Sequence, residues 1–268
     1  MLTEPKILVL ILAIEKDPWK KIEIEGQDTT WKQWPSGNIE IMRYIGMDRP
    51  NLFWIFQNKL WMFNEKLQAL TKGKFSPRFL NRVLGKENQF ASIIDQSAKL
   101  IYTTVPDLYS LIGIKTIEAF EASINNFDFD YIYRTNVSSY IDLIKLTEFV
   151  NNKPRKGYYG GAVGTHQGIS FASGCGYFLS RDVVNKVLEN RKLWDHNLID
   201  DVSLGKLLTK ELNIEVQEIG RLDLESANFS PFEIKDKSKT VFHYRCKAAS
   251  PDLSIQIMKS LHEILTSD

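Results

Sequence analysis

Two pairs of carboxylates in the sequence have a type and spacing that could do chemistry. Asp128 and Asp130 form an Asp-x-Asp in the stretch "NNFDFDYIYRTN", a pattern that can hold a divalent cation against a nucleotide diphosphate. Asp200 and Asp201 adjoin each other in "LIDDVSLG", before a stretch of helical periodicity. At a helix N-terminus, one aspartate can cap the helix while the other faces a reactant. These residues alone do not exclude the alternative, in which both aspartates only cap the helix.

Several apolar runs predict the strands that would position these carboxylates. Residues 6–14, "KILVLILAI", form a near-continuous apolar run typical of a strand covered on both faces. Residues 51–56, "NLFWIF", and 99–104, "KLIYTT", predict two more strands, and another ends in "DYIYRTN". Later strand candidates are "GYFLS", "IEVQEI" and "KTVFHYR".

Helix start signals alternate with these strands. Asp107 is expected to cap a helix over "LYSLIGIKTIEAFEASI", whose apolar residues have helical spacing. Later helices are expected to begin at Ser180, at Asp200 or Asp201, and at Ser250. The alternation predicts an α/β fold, with a mixed, mostly parallel sheet flanked by helices.

The direction of the strand "DYIYRTN" separates the Asp-x-Asp from the expected site. In open α/β sheets, ligands bind at the carboxyl ends of the strands. Asp128 and Asp130 precede this strand, so they are expected at the opposite edge of the sheet, in a solvated turn. The residues at the ligand edge are Arg134, Thr135, Asn136, Val137 and Ser138.

Length, composition and charge restrict the class of protein. The 268 residues suffice for one large α/β domain or two small ones, and 43% apolar residues can fill a substantial core. The net charge of +1 provides no general attraction to nucleic acid or to anionic membranes. Basic residues do not form a stripe with interleaved aromatics, so a nucleic-acid partner is not expected. Residues 72–89 are expected to be a mobile, basic insertion.

The cysteines and the N-terminal run bear on the compartment. Cys175 and Cys246 lie in dissimilar surroundings without metal-ligand spacing, which favours a reducing compartment. The run "ILVLILAI" is far shorter than the ~20 residues that span a bilayer, and a buried strand is favoured over a signal peptide. These observations predict a soluble, cytoplasmic protein of bacterial or viral type, without a transmembrane segment.

Four motifs follow one another along the chain: "LYSLIGIKTIEAF" leading into "YIYRTNVSSYID", then "SGCGYFLSRDVV", "DDVSLG" and the pair Phe242-His243. Their order and spacing resemble the β-1,3-galactosyltransferase and Fringe-like family of inverting glycosyltransferases, which have the Rossmann-like GT-A fold. The four motifs cover roughly residues 100–245, and "TTW", ending at Trp31, resembles a tryptophan motif after the first strand.

The resemblance implies roles for individual residues. Asp201 corresponds to the general base, and Asp200 would orient sugar hydroxyls or cap the helix. The donor nucleotide would be bound by Thr135, Asn136, Ser138, Lys115 and His243, and the donor sugar and the acceptor by Ser173, Gly174 and Gly176. Beside the resemblance, the residues themselves suggest Arg134, Arg245 and Lys247 as further donor ligands, because cations suit a diphosphate. Trp194, in the polar run "NRKLWDHN", could provide a face for stacking a sugar. A single domain is expected, with residues 1–140 binding the nucleotide sugar and residues 141–268 the acceptor.

The sequence departs from the family where the family has three consecutive aspartates. Here the three positions are Asn136, Val137 and Ser138, so both metal-binding carboxylates are missing. An amide and a hydroxyl are poor ligands for Mg²⁺ or Mn²⁺, which favours metal-independent transfer, with arginine and lysine stabilising the diphosphate. The alternative is a weakly bound cation held by His243, Asn136 and diphosphate oxygens.

The function that the resemblance implies is transfer of a sugar from a nucleotide sugar, with a UDP-sugar as the expected donor, to a hydroxyl of a glycan or glycolipid. The alternative is a catalytically inactive nucleotide-sugar or glycan-binding protein of the same fold, which the missing aspartates favour. The acid pair and the glycine-rich stretch favour the enzyme, since a binding protein has no need of a carboxylate opposite the donor.

Overall fold

The computed structural model of the chain describes residues 4–33, 37–47, 52–71 and 91–267. The basic stretch 72–89 lies outside the described residues. The strands are β1 Ile7–Leu12, β2 Ile39–Met47, β3 Ile93–Asp95, β4 Leu100–Pro106, β5 Tyr131–Asn136, β6 Ser139–Ile141, β7 Tyr159–His166, β8 Ile169–Ser180, β9 Gln217–Glu218, β10 Leu222–Leu224 and β11 His243–Cys246. The α-helices are α1 Trp19–Ile22, α2 Leu52–Thr71, α3 Ile112–Asn126, α4 Leu143–Asn151, α5 Arg181–Glu189, α6 Asp200–Lys206, α7 Pro231–Lys237 and α8 Pro251–Thr266.

Most described strands belong to one mixed sheet in the order β3-β4-β2-β1-β5-β8-β7-β9. β4, β2, β1 and β5 are parallel to one another, and β9 is parallel to β7. β3 and β8 run antiparallel to their neighbours. The prediction of a mixed, mostly parallel α/β sheet is therefore confirmed. A smaller sheet, β10-β11-β6, continues from the end of β5.

Helices cover both faces of the large sheet. Along β1, Ile7, Val9 and Ile11 pack into one core with residues of α4 and α8, whereas Leu8 and Leu10 pack into a second core with residues of α3 and α5. Successive side chains of a strand point to opposite faces, so a strand between two cores must be apolar throughout. This explains why β1 is one of the clearest elements in the sequence.

The expected strand at residues 51–56 is wrong, because residues from Leu52 onward form the long helix α2. Periodicity alone does not separate a short apolar run of a strand from one of a helix. The two neighbours of β1 in the sheet are β5 and β2. β2, Ile39–Met47, was not predicted from the sequence.

The predicted helix starts were partly correct. Ser250 accepts a hydrogen bond from the Leu253 amide and caps α8, as expected. Ser180 is the N-cap residue of α5, as expected, but its hydroxyl donates to Asp182 in the first turn and accepts no hydrogen bond from a helix amide. Asp107 does not cap a helix, because its carboxylate accepts from the Gly46 amide, 61 residues away.

The later strand predictions were also only partly correct. "GYFLS" is the end of the longer strand β8, and "KTVFHYR" contributes a strand only from His243 onward. Within "IEVQEI", only Gln217–Glu218 is a strand. None of the helices that the structure describes is long and apolar enough to cross a membrane.

Candidate functional site

A cleft of about 340 Å³ opens where the carboxyl ends of β1 and β5 meet. Its lining residues come from the end of β1 and from α1, from the segment before α3 and its first turns, from the end of β5 and the turn after it, from the middle of β8, and from the end of β11. They are Leu12, Ala13, Ile14, Trp19, Asp107, Leu108, Tyr109, Ile112, Lys115, Asn136, Val137, Ser138, Cys175, Arg245 and Lys247. One part of the lining is apolar and the other part carries three cations. A ligand with an apolar group and an anionic group suits this division.

A larger cavity of about 840 Å³ lies beside β2 and is strongly charged. Its charges are matched within the protein, because Glu15 pairs with Lys20 and Arg43, and Lys32 pairs with Asp28. Glu15 lies in this cavity, although the residues just before it, Ala13 and Ile14, line the cleft. The cleft at β1 and β5 is therefore the better candidate for an anionic ligand.

Asn136 ends β5 at the cleft and organises the turn that follows. Its Oδ1 accepts hydrogen bonds from the Ser138 amide at 3.1 Å, from Ser138 Oγ at 2.8 Å and from Ser139 Oγ at 3.3 Å. Gln27 holds the same turn from behind, since its Nε2 donates to the carbonyls of Asn136 and Ser139. The amide group of Asn136 is therefore oriented before any ligand arrives.

Trp31 supports this turn as well. Its ring is fully buried, and its Nε1 donates to the Ser139 carbonyl at 3.1 Å. The tryptophan of the "TTW" motif thus acts on the site through the backbone of the turn, and its ring faces the core.

The second wall of the cleft comes from β11, which pairs with β6 immediately after the turn. Arg245 lies opposite Ser139 in this register and pairs with Asp223 at 3.3 Å. Lys247 is exposed at the mouth of the cleft. Residues about 110 positions apart in the sequence therefore face one another across the cleft.

Lys115 reaches the cleft from α3 and is almost fully buried. Its Nζ pairs with Asp107 and donates to the Ala13 carbonyl at 3.1 Å. Burial lowers the pKa of Lys115, and the Asp107 carboxylate acts against this effect. The pair contributes no net charge to the cleft, so the positive charge there comes from Arg245 and Lys247.

The acid pair lies beside the cleft, at the first turn of α6. Asp200 Oδ2 accepts a hydrogen bond from Arg134 Nη2 at 2.8 Å. Arg134 is only 2% exposed, and it also donates to the Tyr44 hydroxyl at 3.0 Å and to the Gly174 carbonyl. Asp200 thus balances a buried charge, and Ile199, not an aspartate, is the N-cap residue.

Asp201 has a different environment. Its Oδ2 accepts from the Gly174 amide at 2.7 Å, and Cys175, the next residue, lines the cleft. Burial raises the pKa of Asp201, and the neighbouring charge of Asp200 raises it further. A carboxylate with a raised pKa is a better general base near neutral pH than an ordinary aspartate.

His243 and the glycines of β8 pack tightly behind the cleft. A Cβ on Gly176 would lie 2.6 Å from His243 Cε1, and one on Gly174 would lie 3.1 Å from Asp201 Oδ2. His243 Nε2 bonds to Ser139 Oγ at 3.0 Å, and burial lowers the pKa of His243 to about 3. The imidazole is therefore neutral at pH 7 and acts as a buried support of the turn.

The residues at this edge do not fit a divalent cation. The Oδ1 of Asn136 already accepts three hydrogen bonds, and the imidazole of His243 is engaged by Ser139. In the part of the chain that the structure describes, no three His, Cys, Asp or Glu side chains converge on one point. Mg²⁺ and Mn²⁺ favour several hard anionic oxygens, which these residues do not supply.

The structure brings most of the expected site residues together. Lys115, Asn136, Ser138, Arg245 and Lys247 line the cleft. Behind them, Thr135 donates to the Cys175 carbonyl, and Ser173 accepts from Arg221. Trp194 does not join them: its ring is buried in the core against Gly113, so the expected face for stacking a sugar is wrong.

Asp128 and Asp130 lie at the opposite edge of the sheet, as expected. Asp128 is exposed and pairs with Lys6. Asp130 accepts from the Lys6 amide and pairs with Arg155 at 3.3 Å. Both carboxylates therefore stabilise the start of β5, far from the cleft at its end.

Several residues that support the site were not predicted as site residues. They contact predicted site residues across the fold, and they are Gln27, Tyr44, Arg221 and Asp223. Asp107, which was expected only as a helix cap, supports Lys115 as well. Arg221 directly precedes β10 and pairs with Asp223 within it, at 2.6 Å. An arginine and an aspartate two residues apart are common in sequences, so this spacing does not predict a site.

Comparisons with known proteins detect only distant similarity. No protein-family model and no curated protein sequence matches the chain. Among solved structures, a glycosyltransferase involved in glycosylation of the major capsid of PBCV-1 aligns with 95% of this chain and all of its own, at 10% identity and a TM-score of 0.45. The galactosyltransferase LgtC, in complex with donor and acceptor sugar analogues, aligns with 98% of this chain and 97% of its own, at 11% identity and a TM-score of 0.47. Mouse xyloside xylosyltransferase 1 aligns with 91% of this chain and 97% of its own, at 8% identity and a TM-score of 0.41.

Proposed function

We propose that this chain is an inverting glycosyltransferase of the GT-A fold that transfers a sugar from a nucleotide sugar, a UDP-sugar, to a hydroxyl of a glycan or glycolipid. The observation that carries the proposal is the position of the acid pair. Asp200 and Asp201 lie beside a cleft whose lining is part apolar and part cationic, at the carboxyl ends of β1 and β5. Such a cleft suits a nucleoside diphosphate, and the carboxylate suits an acceptor hydroxyl.

The apolar part and the cationic part of the cleft would bind different parts of the donor. The base and ribose would contact the apolar residues Leu12, Ala13 and Ile14 at the end of β1. The diphosphate would lie between the turn after Asn136 and the cations Arg245 and Lys247. An arginine fork suits two phosphate oxygens, and preorganised cations stabilise the charge that the diphosphate gains as it leaves.

In the proposed reaction, Asp201 takes the proton from the acceptor hydroxyl. The acceptor oxygen attacks the anomeric carbon from the face opposite the diphosphate, and a new glycosidic bond forms. The bond between the anomeric carbon and the diphosphate oxygen breaks, and the electron pair leaves with the nucleoside diphosphate. Asp200, held by Arg134, positions the first turn of α6 and raises the pKa of Asp201.

The division of the chain into a donor half and an acceptor half belongs to the proposal. Residues 1–140 supply most of the cleft, and the acid pair lies within residues 141–268. The cations Arg245 and Lys247 qualify this division, because they reach the donor cleft from the second half.

One observation favours a second function, that of a nucleotide-sugar-binding protein without turnover. Both Asp201 oxygens accept backbone hydrogen bonds, Oδ2 from Gly174 and Oδ1 from the Val202 amide at 2.9 Å. A carboxylate used in this way stabilises the loop against α6. The two functions agree on the donor cleft and differ only in whether Asp201 exchanges a proton.

A panel of nucleotide sugars, tested by thermal shift with and without Mn²⁺, tests the proposed function. A ligand at 100 times its Kd stabilises the native state by about 2.7 kcal/mol, which raises the Tm of a protein of this size by roughly 5 °C or more. We expect one UDP-sugar to do this, and the Arg245→Ala/Lys247→Ala variant to lose the effect. If no nucleotide or nucleotide sugar raises the Tm, the donor cleft is wrongly assigned. Release of UDP in the presence of acceptor glycans then separates turnover from binding.

The two aspartate motifs are distinguished by a matched pair of variants. We expect Asp128→Ala/Asp130→Ala to leave the affinity for the nucleotide sugar unchanged within about twofold, because both carboxylates lie at the far edge of the sheet. Asn136→Ala removes the acceptor that organises the turn and should weaken binding by about tenfold, the cost of roughly one hydrogen-bonding group. Isothermal titration measures both affinities. Loss of binding in the folded double variant, with Asn136→Ala unaffected, would reverse this assignment.

A further inference from the structure

The long helix α2 turns an apolar stripe toward solvent. Leu52, Phe56, Phe63 and Leu70 are exposed by 85%, 59%, 64% and 82%. They are spaced by four and seven residues, so they lie along one face of the helix. Single exposed apolar side chains are ordinary, whereas four large ones along one face of a helix indicate an interaction surface.

The opposite face of α2 attaches the helix to the protein. Trp54, Gln57, Trp61 and Asn64 are buried at helical spacing. Two of these four side chains are polar amides, while the exposed stripe carries leucine and phenylalanine. The usual order of an amphipathic helix, with the most apolar face inward, does not hold for α2.

Two lysines complete the exposed stripe. Lys59 and Lys66 lie between its apolar residues, at the same spacing of three and four, and both are exposed. Glu65, the acidic residue of α2, lies about 100° around the helix from Lys66, away from the centre of the stripe. The stripe is therefore apolar and positively charged.

We propose that α2 lies on an anionic lipid surface with this stripe against the membrane. Phenylalanine and leucine would enter the boundary between headgroups and acyl chains, as in interfacial amphipathic helices. Lysine side chains at that depth extend their ammonium groups back to the lipid phosphates.

Lys59 and Lys66 favour a membrane over a second copy of this chain as the partner of the exposed stripe. In a parallel helix pair, Lys59 and Lys66 would meet their own copies, and like charges in contact are unfavourable. In an antiparallel pair, the ammonium groups would be buried among phenylalanines, at a desolvation cost. An anionic surface satisfies both the apolar residues and the lysines.

The position of α2 would bring the membrane next to the cleft. Trp61, on the attached face, packs edge-on against Tyr109 with 5.9 Å between the ring centroids, and Tyr109 lines the cleft. A lipid surface on the outer face of α2 thus lies one helix diameter from the rim of the cleft. Binding to lipid is nevertheless independent of turnover in the cleft.

Vesicle flotation with the full chain tests this surface. The probes are vesicles of pure phosphatidylcholine and vesicles with 30% phosphatidylglycerol. We expect the parent protein to float with the anionic vesicles and to be released by high salt. Phe56→Gln/Phe63→Gln should lower the bound fraction by about tenfold or more, because two apolar contacts with the membrane are lost. Phe232→Gln is the matched control, since Phe232 is 81% exposed on α7, and should bind like the parent.

Lys59→Glu/Lys66→Glu should abolish the preference for anionic vesicles, with an unchanged circular dichroism spectrum as the check on folding. Equal flotation of the parent and Phe56→Gln/Phe63→Gln would overturn the proposal. So would absence of the parent from both kinds of vesicle. If sedimentation velocity shows a parent dimer that the phenylalanine variant converts to a monomer, and no lipid binding occurs, the occupant is a second copy and the membrane surface is wrong.

Discussion

Asp201→Asn should lower kcat by about 100-fold or more, since general-base catalysis typically contributes 10²- to 10⁴-fold and an amide does not accept the proton. The affinity for the nucleotide sugar should remain close to that of the parent protein. A base that acts only while the acceptor loses its proton stabilises the transition state and not the donor complex. Steady-state release of UDP and isothermal titration with the donor measure the two quantities.

Asp252→Asn is the matched control for this variant. Asp252 also lies in the first turn of a helix, α8, but it is exposed and pairs with Lys21. We expect Asp252→Asn to have the same kcat as the parent protein. Near-parental turnover of Asp201→Asn would show that the base lies elsewhere, and would favour the binding protein without turnover.

The pH dependence of kcat/KM provides a second measurement of the same residue. Asp201 must be deprotonated to act as a base, so activity should be lost as the pH falls through its pKa. Burial and the charge of Asp200 both raise this pKa. The acidic limb of the profile should therefore lie above the ordinary aspartate value of about 3.9. A profile without a fall down to pH 4 would contradict the assignment of Asp201 as the base.

The second large effect is expected on stability. Arg134→Met should lower the free energy of unfolding by about 3–5 kcal/mol, the usual cost of removing one partner of a buried ion pair. The substitution keeps much of the side-chain volume but leaves Asp200, which is only 15% exposed, without its cation. Asp200→Asn should destabilise the protein for the same reason, by more than the ~1 kcal/mol of a lost helix cap. Urea unfolding measures both changes.

The double variant Arg134→Met/Asp200→Asn isolates the interaction, because neither charge then remains unpaired. We expect it to be more stable than the sum of the two single changes by at least about 1 kcal/mol. Arg155→Met is the matched control, since Arg155 pairs with Asp130 at the partly exposed start of the same strand, and should cost less than about 1 kcal/mol. Additive effects of the two single substitutions would show that the pair is not coupled.

The sequence predicted the parts of the site that depend on local pattern. β1 was recognisable because a strand between two cores is apolar at every position. The place of Asn136 at the end of β5, and of Asp128 and Asp130 at its start, followed from the direction of a single strand. The acid pair at the start of α6 was visible for the same reason, since a helix start is encoded by adjacent residues. Which aspartate would pair with Arg134 and which would accept from the Gly174 amide was not encoded there.

Only the tertiary structure decided the charges and the burial of the site residues. Arg134 was a candidate ligand of the donor, but packing joins it to Asp200, 66 residues away, and to Tyr44. His243 and Trp194 are both buried by elements from other parts of the chain. Burial keeps His243 neutral near pH 7, and it prevents the Trp194 ring from contacting a sugar. Periodicity describes which face of an element is apolar, whereas the pKa of a side chain depends on whatever neighbours the fold brings to it. For this reason the sequence indicated where the cleft lies, and the packing of distant residues determined which of its groups are charged, buried or free to react.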